Sequence, residues 1–202
     1  MFQGIIKEMG TVTSIERTPI FRLGIHSPQT ARLSTIGDSI AVNGCCLTVI
    51  ALSPNSEGTW WAEVMEETLR KTSLDSLKIG ENLNIEHPIC YGDAIGGHLI
   101  QGHIDEVGYI EAKEEKEDHS WDLTVRASSD FLRLLTSKGS IAVDGVSLTV
   151  TTVHDTYFRF SMIPHTKNHT SLGIKLPGAP VHLEADILAK QVVRWLSTDK
   201  GS

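Results

Sequence analysis

Two small groups of polar and nucleophilic residues recur at matching places in this chain. Cys46 and Thr48 follow Asn43-Gly44, and Ser147 and Thr149 follow Asp144-Gly145. On a strand, alternate side chains share a face, so Cys45, Leu47 and Val49 point one way while Cys46 and Thr48 point the other. Val146, Leu148 and Val150 oppose Ser147 and Thr149 in the same manner. A thiol or hydroxyl so placed can act as a nucleophile or hydrogen-bond a ligand. Threonine is also an ordinary strand residue and free cysteine an ordinary buried one, but recurrence at both places favours a pocket used twice. His98 and His103 are spaced i, i+5, which suits neither a strand face nor a helix face and argues against a shared metal ion. The other seven histidines are scattered, and Cys45, Cys46 and Cys90 form no zinc pattern. No G-x-G-x-x-G, Walker-type or G-x-S-x-G segment occurs, so the expected ligand is not held by a phosphate cradle.

The elements that carry these residues are repeated. Gln3 to Gly10 recurs as Gln101 to Gly108 at an offset of 98 residues, and Ser39 to Val49 recurs as Ser140 to Val150 at an offset of 101. Thr68, Thr72-Ser73-Leu74, Gly80 and Glu86 recur as Thr166, Thr170-Ser171-Leu172, Gly178 and Glu184, again at 98. The three extra residues of the middle block are expected in the polar stretch Glu111 to His119. Such a period is too long for a solenoid and indicates a duplicated domain. The reading is 1–97, 98–187 and a terminal segment 188–202. Asn43-Gly44 and Asp144-Gly145 lie between β-branched runs and signal tight hairpins. Several short strands per half imply an all-β fold of two small barrels. Ser27-Pro28 and Ser128-Ser129-Asp130 are candidate starts of short helices. Leu188, Val192, Trp195 and Leu196 follow helical spacing after Asp186, outside the repeat.

Composition narrows the function classes. The net charge is −7, from 18 Lys+Arg against 25 Asp+Glu, so a nucleic acid would meet net repulsion. No apolar run approaches the eighteen or so residues of a membrane span, and Met1-Phe2-Gln3-Gly4-Ile5-Ile6 does not open like a signal peptide. A cytoplasmic protein without a membrane partner is expected.

Four segments carry a resemblance: Met1-Phe2-x-Gly4-Ile5, Asn43 to Val49, Gly96 to His103, and Asp144 to Val150. Together they resemble the riboflavin synthase α-chain family over essentially the whole chain. The resemblance implies two tandem six-stranded closed β-barrels, each a lumazine-binding repeat, with short helices and a C-terminal helix that holds a homotrimer. It implies a cofactor-free transfer of four carbons between two molecules of 6,7-dimethyl-8-ribityllumazine, yielding riboflavin and 5-amino-6-(D-ribitylamino)uracil. The reacting pair would lie between the N-terminal barrel of one subunit and the C-terminal barrel of its neighbour. Association with lumazine synthase is left open.

Carried over by position, the N-terminal pocket is expected from Gly4, Ile5 and Ile6, from Cys46, Leu47 and Thr48, from Glu63, Val64, Met65, Glu66, Glu67 and Thr68, and from Gly102, His103 and Ile104. The C-terminal pocket is expected from Lys138, from Ser147, Leu148 and Thr149, and from Ile163, Pro164, His165, Thr166, Lys167 and Asn168. Phe2 and Asp186 match further family positions. His103 is the first candidate for proton transfer, with Cys46 or Ser39 positioning or activating a nucleophile. Gln3 and His165 depart from the family, which usually has Thr or Ser and Glu there. A non-catalytic lumazine or flavin carrier is the competing reading, and a flavin-dependent reductase barrel is disfavoured because no sequence remains for a nucleotide-binding domain.

Overall fold

The computed structural model describes residues 1–54 and 57–198. Strands β1 (Glu8–Glu16), β2 (Phe21–His26), β3 (Ser39–Val42), β4 (Cys45–Leu52), β5 (Thr59–Val64) and β6 (Asn82–Glu86) close into an antiparallel barrel in the order β1-β2-β5-β4-β3-β6. Strands β7 (Glu106–Glu115), β8 (Trp121–Arg126), β9 (Ser140–Val143), β10 (Val146–Val153), β11 (Tyr157–Met162) and β12 (Pro180–Ala185) repeat that order as β7-β8-β11-β10-β9-β12. The two small barrels expected from the repeat are therefore present, six-stranded as the resemblance implies, and alternation builds both. In β4, Cys45, Leu47 and Val49 are buried while Cys46 is half-buried and Thr48 exposed. The first core packs Leu23, Ile25, Trp60 and Leu83, and the second packs Val125, Phe158, Phe160 and Leu183. Each such side chain contributes about 1.5–3 kcal/mol on burial.

Both predicted hairpins form. Asn43 and Gly44 have φ of 44° and 79°, and Asp144 and Gly145 have 46° and 76°, the left-handed pair that matches strand twist in a two-residue turn. The tips meet between the barrels, where a Cβ on Gly44 would lie 2.6 Å from the Gly145 nitrogen and one on Gly145 equally close to the Gly44 nitrogen. The placement of the three extra residues needs correction. Two fall in the β7–β8 hairpin region, since Glu8 corresponds to Glu106 but Phe21 to Trp121. The third is Ala127, between β8 and the capping Ser128, where His26 is followed directly by Ser27. Loops absorb single residues without disturbing barrel register, so the insertion is split.

The α-helices among the described residues are α1 (Pro28–Leu33), α2 (Glu66–Lys71), α3 (Ser129–Leu132), α4 (Pro164–His169) and α5 (Ile187–Thr198). Expected starts of α1 and α3 are found. Ser128 Oγ accepts from the Phe131 N–H, whereas Ser27 Oγ accepts from the Trp60 indole instead. Helices α2 and α4 were not anticipated, because six residues are too few to show a period. Asp186 Oδ1 accepts from the Leu188 N–H at 2.8 Å and starts α5. Of the terminal segment, 199–202 lies outside the described residues.

The segments ahead of the two barrels cross between them. Phe2 and Ile100 exchange antiparallel backbone hydrogen bonds of 2.8 and 3.0 Å and pack with Ala41 and Ala142. Ile6 then packs against the core of the second barrel, and Ile104 against the core of the first. A buried polar set joins the barrels elsewhere. His182 Nδ1 lies 2.9 Å from the Asn43 carbonyl, which can only accept, so Nδ1 carries the proton and Nε2 accepts from the Ser73 N–H at 2.9 Å. Asn84 donates to the Asp144 carbonyl at 2.9 Å.

Candidate functional site

The crossing of residues 1–6 and 99–104 builds two related sites. In the first, Cys46 N–H donates to the Gly102 carbonyl at 2.9 Å, and Cys45, Cys46, Glu67, Thr68, Lys71, Thr72, Gly102, His103 and Ile104 surround a cavity of about 280 Å³. The adjacent cysteines differ in environment. Cys45 faces the barrel core, where desolvation pushes its thiol up to about 12, so it stays protonated. Cys46 stands half-buried at the cavity with His103 exposed beside it.

In the second site, Ser147 N–H donates to the Gly4 carbonyl at 2.9 Å. The Ser147 hydroxyl lies 2.7 Å from His98 Nδ1. His98 N–H in turn donates to the Gln3 carbonyl at 3.2 Å, while the Gln3 side-chain oxygen accepts from Gly96 N–H at 2.7 Å. Burial holds the His98 imidazole below its ordinary range, opposed by Asp186, so the ring is neutral at pH 7. By repeat register, Ser147, His165, Thr166, His169, Gly4, Ile5 and Ile6 correspond to Cys46, Glu67, Thr68, Lys71, Gly102, His103 and Ile104.

Two groups of the expected pocket residues lie apart from Cys46 in the structure. Gly4, Ile5 and Ile6 lie with Ser147 on the second barrel rather than with Cys46, because the crossing carries each leading segment to the other barrel. Glu63 forms an exposed ion pair with Arg22 at 2.8 Å, and Val64, Met65 and Glu66 border a separate open groove of about 770 Å³. Of that run, Glu67 and Thr68 line the Cys46 cavity. Those two residues lie on α2, one turn after β5 ends at Val64.

The remaining positions are distributed around these sites. Ser39 pairs with Thr48 across β3 and β4, while Leu47 and Leu148 are core residues and Thr149 is exposed. Lys138 is exposed in the left-handed region at φ 67°, donating its N–H to the Val150 carbonyl as Gly37 does to Val49. Ile163 precedes α4 and Pro164 opens it. His165 and His169 stack at 4.2 Å, and Asn168 is exposed. Lys167 and Lys113 each place an ammonium 4.2 Å from the Trp121 ring. Phe2 is fully buried between the barrels. The pairing of His98 with Ser147 was not anticipated. Its signal was Gly96-Gly97, since a Cβ on Gly97 would stand 2.9 Å from Ser147 Oγ and strike the Gln3 carbonyl.

Two pseudo-equivalent barrels, each with one small nucleophilic or hydroxyl side chain beside an imidazole, define a tandem ligand-binding protein. The chain belongs to the lumazine binding domain family, which matches residues 3–88 and 101–186. Riboflavin synthase of Actinobacillus pleuropneumoniae is 40% identical over 197 residues, covering 97% of this chain and 90% of that one. Riboflavin synthase of Mycobacterium tuberculosis (strain H37Rv) is 40% identical over 201 residues, covering 97% and 98%. That of Bacillus subtilis is 36% identical over 197 residues, covering 97% and 90%. The crystal structure of LumP complexed with 6,7-dimethyl-8-(1'-D-ribityl) lumazine shares the fold, with a TM-score of 0.82 at 24% identity, over 92% of this chain and 99% of that one.

Proposed function

We propose that this chain is a riboflavin synthase, a transferase that moves a four-carbon unit between two molecules of 6,7-dimethyl-8-ribityllumazine. One leaves as riboflavin and the other as 5-amino-6-(D-ribitylamino)uracil. The observation that carries this reading is the paired site: Cys46 with His103 on one barrel, and Ser147 with His98 at 2.7 Å on the other. Two copies of one substrate call for two similar pockets. Both pockets keep reactive side chains, where a carrier needs only one that binds.

The chemistry asks for proton removal from the acidic C7 methyl of one lumazine and addition of a nucleophile at C7 of the other. A neutral His98 can accept the Ser147 hydroxyl proton as that oxygen adds, and return it on elimination. His103 is exposed at the other cavity, and in this reading it exchanges the methyl proton. Holding two rings in register converts an encounter into a positioned reaction and can lower the barrier by about 7–11 kcal/mol.

The antiparallel crossing at Phe2 and Ile100 sends Gly4 and Gly102 in opposite directions, each to the other barrel. In this reading the facing pair forms between neighbouring subunits. Leu188, Val192, Trp195 and Leu196 of α5 are each more than half exposed, an apolar stripe suited to a homotrimer contact. No helix among the described residues is long and apolar enough to cross a membrane. We infer a cytoplasmic enzyme acting on a small-molecule substrate.

The test is turnover. Purified protein given lumazine and no cofactor should consume two lumazines per riboflavin formed. Tight binding without riboflavin formation would instead identify a carrier.

A further inference from the structure

Two carboxylates that the chemistry above does not use lie at the roots of the crossing segments. Glu86 ends β6 and Glu184 lies near the end of β12; they correspond by repeat register and are 3% and 2% exposed. Among the described residues neither forms a direct ion pair; both are filled by peptide N–H groups. Glu86 Oε1 accepts from Gln3 N–H at 2.9 Å, and its Oε2 from Gly4 N–H at 3.0 Å. Glu184 Oε1 accepts from Gln101 N–H at 2.8 Å, and its Oε2 from Gly102 and His103 N–H at 2.9 and 3.1 Å.

A buried carboxylate is costly unless its lone pairs are filled, and these N–H groups belong to the peptides that shape the two sites. Gly4 and Gly102 are left-handed, with φ of 78° and 83°. Each then turns its carbonyl to the N–H of Ser147 or Cys46 at 2.9 Å. The arrangement is crosswise: Glu184 of the second barrel grips the segment that completes the first barrel's site, and Glu86 of the first grips the segment that completes the second's.

We propose that Glu184 and Glu86 are positioning residues acting across the barrels, Glu184 setting His103 against Cys46 and Glu86 setting Gln3 and Gly4 against His98 and Ser147. This rests on the riboflavin synthase reading for its kinetic readout. Glutamine is nearly isosteric but replaces one accepting oxygen with a donating NH2 that must face at least one of these N–H groups. The segment shifts, and a group misplaced by about 1 Å can cost 100-fold in rate.

The experiment is a set of double-mutant cycles on the full chain, read as riboflavin formation. Glu184→Gln alone should lower kcat at least tenfold. Added to His103→Ala it should cost no more than about threefold further, whereas added to His98→Ala it should keep its full effect. Glu86→Gln should show the mirror pattern, overlapping with His98→Ala and independent of His103→Ala. Equal costs in every background would reduce both residues to general stability and overturn the proposal. Should a variant fail to fold, amide hydrogen exchange of the unaltered protein decides. Slow exchange at Gly4, Gly102 and His103 is required, and free exchange there refutes the grip. That measurement needs no turnover, so it separates this proposal from failure of the enzymatic reading.

Discussion

His98 Nδ1 and Ser147 Oγ stand 2.7 Å apart although 49 residues separate them in the chain. Gly97 makes the approach possible, since any Cβ there would crowd both Ser147 Oγ and the Gln3 carbonyl. The pair joins the segment between the barrels to the first turn-out of β10, so it exists only when both are in place.

Removing His98 should therefore act on turnover. His98→Gln is expected to lower kcat by roughly 100-fold or more, the usual cost of losing a general base. Because burial holds the imidazole below its ordinary value of 6.5, the acid limb of kcat/KM in the unaltered protein should fall below pH 6.5, and it should disappear in the variant. An unchanged limb would assign it to another group.

His103→Ala and Thr149→Ala should separate chemistry from binding. In its proposed role the imidazole acts in the transition state, so its loss should reduce turnover roughly 100- to 10,000-fold with riboflavin affinity little changed. Thr149 offers one neutral hydroxyl from an exposed position on β10, and its loss should weaken binding by roughly tenfold. Fluorescence titration and lumazine consumption on the same preparations distinguish the two.

Gly102→Ala should damage the Cys46 site. Its φ is 83°, and a Cβ would stand 2.5 Å from Cys46 Cβ. A strained residue of this kind costs about 1–3 kcal/mol, so the melting temperature should drop and lumazine binding should weaken. Gly37→Ala is the control: its φ is also positive but nothing lies within 4 Å, so only the strain remains and binding should survive.

Stability should fall as pH drops through about 6.5. Buried His182 is held neutral by desolvation, below its ordinary value of 6.5. The unfolded chain therefore binds a proton at a pH where the folded chain does not, and stability rises with pH across that window. It is fully present above pH 6.5 and is lost progressively below. Thermal melts at pH 7.5 and 5.5 should differ in that direction, and His182→Asn should reduce the difference while lowering stability at both.

Leu188→Lys with Val192→Lys should disrupt assembly while leaving α5 attached, because Lys190 anchors the helix to Asp105 at 2.8 Å. Sedimentation should shift from the proposed trimer to monomer, with activity reduced. An unchanged sedimentation coefficient would place the subunit contact elsewhere.

Much of the architecture was legible in linear order. The recurrence of Ser39 to Val49 at Ser140 to Val150 revealed the duplication, Asn-Gly and Asp-Gly revealed the hairpins, and strand alternation separated Cys45 from Cys46. These properties are local: turn chemistry depends on neighbouring φ angles, and facing depends on residue parity. Helices α2 and α4 were hidden because six residues make fewer than two turns and show no periodicity.

What linear order could not determine was which barrel each leading segment serves. Gly4 to Ile6 precede the first barrel yet complete the second, and Gly102 to Ile104 do the reverse. The pairing of His98 with Ser147, the burial that keeps His98 and His182 neutral, and the hold of Glu86 and Glu184 on the crossing peptides follow from that exchange and from the packing of one barrel on the other. Covalent sequence dictates short-range geometry, whereas contacts between distant residues are chosen by the combined fit of apolar surface and buried hydrogen bonds, which arises only when both barrels have closed.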